Sequence, residues 1–595
     1  MKHKLFALLS LLILASMVLA ACGGGATDVP ATQPPAPVVT EPPATEAPTE
    51  APTAEPTAIP DVPIATFDGS SLSVPAEECN ADYIGLVQSV VATDASTVTF
   101  TLCRPDPAFL SKIAFNPFGI YPSEWIESTA GDGVRTSEGL EHPVGTGPYM
   151  VDEWARGENI TFTTFPDYWG TPAIADTLVF RWSTEAAARL LELQAGTVDG
   201  IDNVGQTDAA VITADPTLQL TPRPALNVMY FGFTNTFKPF NNVKVRQALA
   251  MGIDRQRIVD NFYPLGSTVA THFTPCSIPN ACVGDVWYDF DPVAAKALLA
   301  EGLAEEGLPT DSFSTKLYYR DVTRSYATAQ GTTLQDLQAQ LKDNLNIDSE
   351  IIVMQSGEFV AAAFGGTLDG IFLLGWGADY PHITNFLDFH FGASNAEFGT
   401  SYPEITDALT AGGQIPDPAE AEPFYVTANN AIRALVPMVP IVNSASATAY
   451  RADVVNPQAS PLNAELFYVS DPGGRDIFNW MQNAEPISMF CADESDGESL
   501  RACEQVVEPL YTFEINGTAV VPVLATACTA NAELTVWTCA LREGVTFHDG
   551  STFDAADVVA TFNMGLNIGS PFHVGNTGLW QYYDSLWGLM KKPGG

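Results

Sequence analysis

The run Trp537-Thr538-Cys539-Ala540-Leu541-Arg542-Glu543-Gly544-Val545-Thr546-Phe547-His548-Asp549-Gly550, continued by Phe553-Asp554-Ala555-Ala556-Asp557-Val558-Val559, lies close to the C-terminal end of the 595-residue chain. Outward from it, towards the N-terminus, two kinds of pattern interleave. Thr97 to Leu102 (TVTFTL) and Ile160 to Thr163 alternate apolar with polar residues, the period of a half-buried strand. Thr184 to Gln194 (TEAAARLLELQ) and Lys244 to Asp260 (KVRQALAMGIDRQRIVD) carry apolar residues at helical spacing. A further helix is predicted between Asp291 and Gly307, entered through Asp-Pro, and an amphipathic one over Leu334 to Leu345, followed by a strand over Asp348 to Met354. Such interleaving makes the class α/β or α+β.

At the other end, Lys2 and Lys4 precede an apolar run from Leu5 to Leu19, which reads as a signal peptide over 1–21. Leu19-Ala20-Ala21-Cys22 is similar to a bacterial lipobox, in which the cysteine becomes the lipidated N-terminus. The run is short for a bilayer span, and no other stretch approaches the roughly 20 apolar residues a membrane helix needs. From Cys22 to about 65 the chain is Pro, Thr, Ala and Glu with almost no large apolar residue, so it cannot offset its ordering entropy and reads as a tether. At ~3 Å per residue it reaches up to ~120 Å from a membrane.

The remaining ~530 residues exceed one ordinary core, so at least two lobes are expected. Loss of Lys2 and Lys4 with the leader takes the formal net charge from −44 to −46. So acidic a surface repels nucleic acid and anionic lipid. Nine cysteines less Cys22 leave an even number, as expected of an oxidising compartment. Proximity suggests Cys79 with Cys103, Cys276 with Cys282, Cys491 with Cys503 and Cys528 with Cys539, among many possible connectivities. Neither CxxC nor HxxxH spacing occurs, so no zinc site is read. Gly145-Thr146-Gly147 and Gly365-Gly366 match no phosphate loop, and Asp493-Glu494-Ser495-Asp496 fails the spacing of a calcium loop. A G-x-S-x-G elbow and HExxH are both missing, which disfavours a hydrolase.

The opening run is similar to the signature of the peptide/nickel-binding family (family 5) of ABC extracytoplasmic solute-binding proteins. So are Pro143-Val144-Gly145-Thr146-Gly147-Pro148-Tyr149, Asp167-Tyr168-Trp169-Gly170, Leu193-Gln194-Ala195-Gly196-Thr197-Val198-Asp199, Val245-Arg246-Gln247-Ala248-Leu249 with Ile253-Asp254-Arg255, and Gly375-Trp376-Gly377-Ala378-Asp379-Tyr380-Pro381. In that family the LREGV-like segment precedes PVGTGPY; here it follows, and each segment occurs once, which reads as circular permutation rather than a truncated second copy. The resemblance implies an α/β fold, periplasmic-binding-protein-like type II, two-lobed about a hinged cleft, with an additional small lobe, circularly permuted. The expected parts are a small lobe of 66–142 plus 516–595, lobe I of 143–250 plus 455–515, and lobe II of 251–454. The original ends would be fused around Val469 to Asn479, where Asp471-Pro472-Gly473-Gly474 turns the chain. Thr66 and Gly595 should then lie close together.

What the resemblance implies for the site is recognition without catalysis or cofactor. In oligopeptide- and dipeptide-binding relatives the aspartate of W-x-x-D pairs with the peptide's α-ammonium, and Trp376 to Asp379 reproduces that spacing; the alternative is a structural aspartate capping the loop before Asn385. Trp376 and Tyr380 read as cleft-wall aromatics or as core. Arg320 or Arg324 would suit a ligand carboxylate, since guanidinium binds it bidentately. His382 and His390 form too sparse a set for a metal. The expected role is that of a monomeric, lipid-anchored receptor handing a short peptide or peptide-like amine to an ABC permease, with an oligosaccharide, a glycoside or a nickel complex as alternative ligands, or a sensor kinase as alternative partner.

Overall fold

The computed structural model describes residues 61–592, apart from 81, 82, 84, 132, 321, 323, 328, 393 and 394. The leader, Cys22, the Pro-rich segment through 60 and Gly595 lie outside the described residues. Among the described residues no helix is long and apolar enough to cross a membrane.

Lobe II is built on a six-stranded sheet ordered Thr268–Val269, Met438–Asn443, Asn227–Phe233, Ile371–Gly377, Phe313–Arg320, Ile347–Met354. Asn227–Phe233 (NVMYFGF) has every residue buried, as a central strand covered on both faces requires. It pairs antiparallel with Ile371–Gly377 along its whole length. This corrects the expected boundary at 250, which rested on motif position: Asn227–Phe233 and helix Val243–Gly252 belong to lobe II. Conversely Ser446–Arg451, expected in lobe II, pairs with Leu218–Arg223 in the other sheet. The chain therefore crosses between lobes at 224–226 and 444–445, and lobe II is one unbroken stretch.

Lobe I carries a seven-stranded sheet ordered Leu218–Arg223, Ser446–Arg451, Gly200–Ile201, Ile477–Gln482, Thr177–Trp182, Asn159–Thr164, Tyr149–Ala155. The turn before Ile477 has Gly473 and Gly474 at φ of +73° and +76°, with the Gly474 amide donating to Asp471. Left-handed backbone at two successive positions is what selects glycine there.

The small lobe's sheet runs Thr66–Phe67, Ser71–Ser73, Val87–Asp94, Thr97–Leu102, Val536–Leu541, Ala525–Ala530. Its two halves come from opposite ends of the chain: Thr97–Leu102 pairs antiparallel with Val536–Leu541, Val98 opposite Cys539. Both strands bury alternate residues, the period-2 pattern of a sheet with one face on a core. Helix Ala555–Leu566 covers that face. Asp554 starts it by accepting from the Ala556 amide while Asp557 accepts from the Asp554 amide, so the Phe553–Val559 segment is a capping box leading into a buried helix. One apolar core runs through the small lobe and much of lobe I, a second fills lobe II, and a smaller third lies in lobe I around Leu193, Ile201 and Ile212.

Val62–Pro63, read as the end of the tether, instead form a short strand against Lys591–Lys592. The pairing depends on a partner backbone brought from the far end of the chain, a signal that local composition does not carry; Pro63, without an N–H, is tolerated in an edge pair of two residues.

The helix read over Lys244 to Asp260 is two helices, Val243–Gly252 and Arg255–Phe262. Asp254 sits between them in extended backbone and accepts from the Arg257 amide as an N-cap. The structure joins Cys79 to Cys103, Cys276 to Cys282, Cys491 to Cys503 and Cys528 to Cys539.

The two motifs that lie some 400 residues apart interlock. His548 accepts from the Gly145 amide on Nδ1 and donates through Nε2 to the Gly147 carbonyl, while Gly147 donates to the Val506 carbonyl at 2.9 Å. This fixes a neutral imidazole, and burial holds it neutral by lowering its pKa to about 4. Gly145 leaves no room for a side chain, since a Cβ would fall on the Val506 carbonyl oxygen. Gly145→Ala is therefore expected to cost about 2–3 kcal/mol of stability, read as a lower denaturant midpoint, because backbone cannot move aside as a flexible side chain can.

Candidate functional site

A cavity of about 590 Å³ opens where the three parts meet. Lobe II contributes Gly377, Ala378 and Asp379, the loop that leaves the last turn of strand Ile371–Gly377. Lobe I contributes an aromatic wall of Tyr168, Trp169 and Tyr468 together with Phe513, and the small lobe adds Phe115 and Tyr582. That volume is within the range of drug-sized ligand pockets.

Asp379 is half-buried, and both its oxygens are oriented. Oδ2 accepts from Asn385 at 2.9 Å, and Oδ1 accepts from the Tyr582 hydroxyl at 3.1 Å, a bond that spans lobe II and the small lobe. Burial pushes the carboxyl up to about 6, against those two donors, which pull it down. The cap of helix Ile383–Phe391 is His382, whose Nδ1 accepts from the Thr384 amide, so Asp379 does not cap that helix. Its tie is to the Asn385 side chain, which also accepts from the Asp379 amide and from Trp376 Nε1.

Trp376 stacks on Phe389 at 4.2 Å and lies outside the cavity lining. Tyr380 is 3% exposed, bonded to Thr384, and belongs to the core of lobe I and the small lobe, into which its loop reaches from lobe II. Arg320 donates to Ser356 and Tyr326, and Arg324 is exposed in a two-residue bridge with Ala327; neither lines the cavity. His390 is fully buried against Glu397 at 2.7 Å, while His382 Nδ1 accepts from the Thr384 amide, and among the described residues the two fall in no common cluster of ligating groups. His272, Cys276 and Cys282 come within 4.8 Å of one another, but both sulfurs are consumed by their disulfide, which leaves no thiolate for a metal. In the acidic run, Asp493 accepts from the Thr577, Gly578 and Trp580 amides and so pins a loop.

The lining contains acids that the sequence does not single out. Glu508 is buried and accepts from Thr146, Tyr168 and Trp169, each at 2.8 Å; burial still raises it to about 7. Glu504, four residues earlier at the C-terminal cap of helix Gly497–Cys503, lines the same cavity, as does the exposed Glu514. Two carboxylates four apart around the apolar run Val506-Val507-Glu508-Pro509-Leu510 were the available signal, and the two adjacent aromatics of Asp167-Tyr168-Trp169-Gly170 were another. Among the described residues no lysine, arginine or histidine lines the cavity. Arg542 stands behind the wall, its guanidinium 4.2 Å from the Trp169 ring centre and its Nε on the Val523 carbonyl. The arrangement can enclose an organic cation between aromatic faces and carboxylates.

The family description "Bacterial extracellular solute-binding proteins, family 5 Middle" matches residues 65–398 and 519–579, about two thirds of the chain. The dipeptide-binding protein of Escherichia coli is 30% identical over 320 residues, 53% of this chain and 58% of that protein's own length. Heme-binding protein A of Haemophilus influenzae is 29% identical over 393 residues, 64% of this chain and 69% of that one. Among solved structures, the dipeptide-binding protein of a Pseudoalteromonas species in complex with Met-Leu superposes with a TM-score of 0.55 at 23% identity, covering 62% of this chain and 73% of that one, and places the chain in the same type II periplasmic-binding-protein fold. With two hinged lobes around a cavity and a family match on both sides of it, the chain belongs to the bacterial extracellular solute-binding proteins of family 5.

Proposed function

We propose that the chain is the lipid-anchored receptor of an ABC importer, capturing a short peptide or peptide-like amine in the interlobe cavity and delivering it, as a monomer, to the permease. The observation that carries the ligand reading is Asp379: an oriented carboxylate on the cavity surface, held by Asn385 and Tyr582, at the position where the W-x-x-D resemblance puts an ammonium partner. Two of the relatives, both dipeptide-binding proteins, support the same reading. The Cys22 lipobox supports the anchor. Circular permutation is supported by the order of the family segments and by the two strand pairings that join the ends, Val62–Pro63 with Lys591–Lys592 and Thr97–Leu102 with Val536–Leu541.

The aromatic wall favours one second reading, an oligosaccharide or glycoside stacked on Trp169. The two separate by titration. An ammonium needs the ionised carboxylate, and Asp379 ionises near 6, so affinity for a free-amine dipeptide should fall as pH falls through that value. The expected result is about tenfold weaker binding at about pH 5 than at about pH 7, with no binding of the N-acetylated dipeptide. Binding of a hexose oligomer with the same affinity at both pH values, and none of the dipeptide, overturns the peptide reading.

A further inference from the structure

Two of the sequence motifs meet on a side chain that neither contains, and a third stands behind them. Glu508 is 9% exposed, and its Oε1 accepts from the Tyr168 hydroxyl while its Oε2 accepts from Thr146 and from Trp169 Nε1, each at 2.8 Å. An indole N–H is a donor only, so its bond to Oε2 sets how the Trp169 ring is turned. Arg542, of the LREGV-like segment, covers one side of that ring with its guanidinium 4.2 Å from the ring centre, and is itself held by the Val523 carbonyl at 2.8 Å. Gly170 leaves room for the neighbouring ring, since a Cβ there would fall 2.8 Å from Tyr168. Trp169 is half-buried and lines the cavity. A ring clamped at its N–H and covered by a guanidinium discriminates among groups that reach it from the cavity. A second cation would repel Arg542 and meet π density already drawn towards it, whereas a neutral aromatic ring gains offset or edge-on contact without that penalty. Because the indole is already fixed, little rotamer freedom is lost when the contact forms.

We infer that the cavity holds a subsite for an aromatic side chain of the ligand, with Trp169 as the group that recognises it and Glu508 as the positioning residue that holds Trp169 and Tyr168 in place. This rests on the peptide reading and narrows it to short peptides that carry an aromatic side chain. Glu508 acts through the wall: its three bonds all go to protein donors, and they tie Thr146 of PVGTGPY to both rings of Asp167-Tyr168-Trp169-Gly170.

The test is calorimetric titration of the purified full chain with alanyl-phenylalanine amide and alanyl-cyclohexylalanine amide. The saturated ring is the larger and more apolar of the two, so burial alone favours it, and a preference for phenyl reports contact with a ring face. The wild-type chain is expected to bind the phenylalanine compound about fivefold more tightly, and Trp169→Leu to abolish or reverse that ratio. Glu508→Leu should abolish it too, whereas the conservative Glu508→Gln should restore most of it, because its amide oxygen can take Thr146 and Trp169 while its nitrogen donates to the Tyr168 oxygen. A merely structural Glu508 would weaken both compounds alike and leave the ratio standing, which overturns its positioning role. Equal wild-type affinity for the pair, or a ratio that survives Trp169→Leu, overturns the subsite without recourse to any Glu508 variant, whether or not Glu508→Leu folds. Phenethylamine and cyclohexylethylamine, which are not peptides, separate the subsite from the peptide reading. If neither dipeptide amide binds, the peptide reading fails, yet a Trp169-dependent preference for phenethylamine sustains the subsite. Absence of that preference as well removes it.

Discussion

Asp379→Asn is expected to weaken binding of a free-amine dipeptide about 100-fold while leaving the empty protein as stable as the wild type, or more so. The two halves of that result come from the same feature. Removing one partner of a desolvated charge pair typically costs about 2–5 kcal/mol of affinity, since the ligand ammonium is then buried without its counter-charge. In the empty cavity the balance is reversed. A carboxyl whose folded pKa stands at about 6, above its ordinary 3.8, is destabilising in its ionised form at neutral pH, and a neutral amide of the same shape is free of that burden. Tyr582 can still donate to the amide oxygen, so the bond across the lobes is kept, while the amide nitrogen then faces Asn385 Nδ2, another donor, and the loss of that bond offsets part of the gain. A thermal melt with and without ligand reads both: the melting temperature of the empty variant holds or rises, and the shift produced by ligand disappears. If Asp379 were only a structural tie to Asn385, the empty variant would melt lower and the ligand shift would persist.

Arg501→Met should destabilise the fold more than either Gly145→Ala or Asp379→Asn, by about 3–5 kcal/mol in guanidinium unfolding. Arg501 bonds Glu465 at 2.6 Å and Asp202 at 3.0 Å, and Arg223 bonds the same two acids at 2.5 and 3.0 Å, all four side chains at most 3% exposed. Two charges of each sign cancel in a place water does not reach. Taking out one guanidinium leaves a surplus carboxylate, whose lost counter-charge far outweighs what the methionine gains by packing. Adding Asp202→Asn to Arg501→Met restores the balance and should recover at least about 1 kcal/mol; a double variant worse than the single one would refute the charge-balance account. The square also bears on closure, because Arg223 ends the strand that leads into the first crossing to lobe II.

The class and most elements were legible because their signals are local. Alternation in TVTFTL and the Asp-Pro entry at Asp291 each report on a few neighbouring residues, and strand Thr97–Leu102 and helix Pro292–Glu305 lie where those patterns put them. The break in KVRQALAMGIDRQRIVD was hidden because apolar spacing runs across it; only the Asp254 side chain turning back to an amide ends one helix and starts the next. The lobe boundary at 227 was missed because a strand buried on both faces has no alternation to betray which sheet it joins. The motif pointed to Asp379, which lies on the cavity wall, but Tyr582, which bonds it, lies 203 residues away and is delivered by packing of the small lobe. Glu504 and Glu508 were overlooked because acids in a chain this acidic look like surface until burial is known.

The split small lobe has a cost in time. Thr99 and Thr538, side by side in the sheet, are separated by 439 residues of chain. At the ordinary synthesis rate of about 5–20 residues per second, strand Thr97–Leu102 waits roughly 20 to 90 s for its partner. For that interval Val98, Phe100 and Leu102 stand uncovered along an unpaired edge, which is a template for the same strand of another nascent copy. Lobe II, one continuous stretch, is complete well before that wait ends. The bottleneck in making this receptor is therefore expected to be aggregation through one strand, relieved by chaperones that mask β edges or by any rearrangement that brings the two halves of the sheet together in the gene.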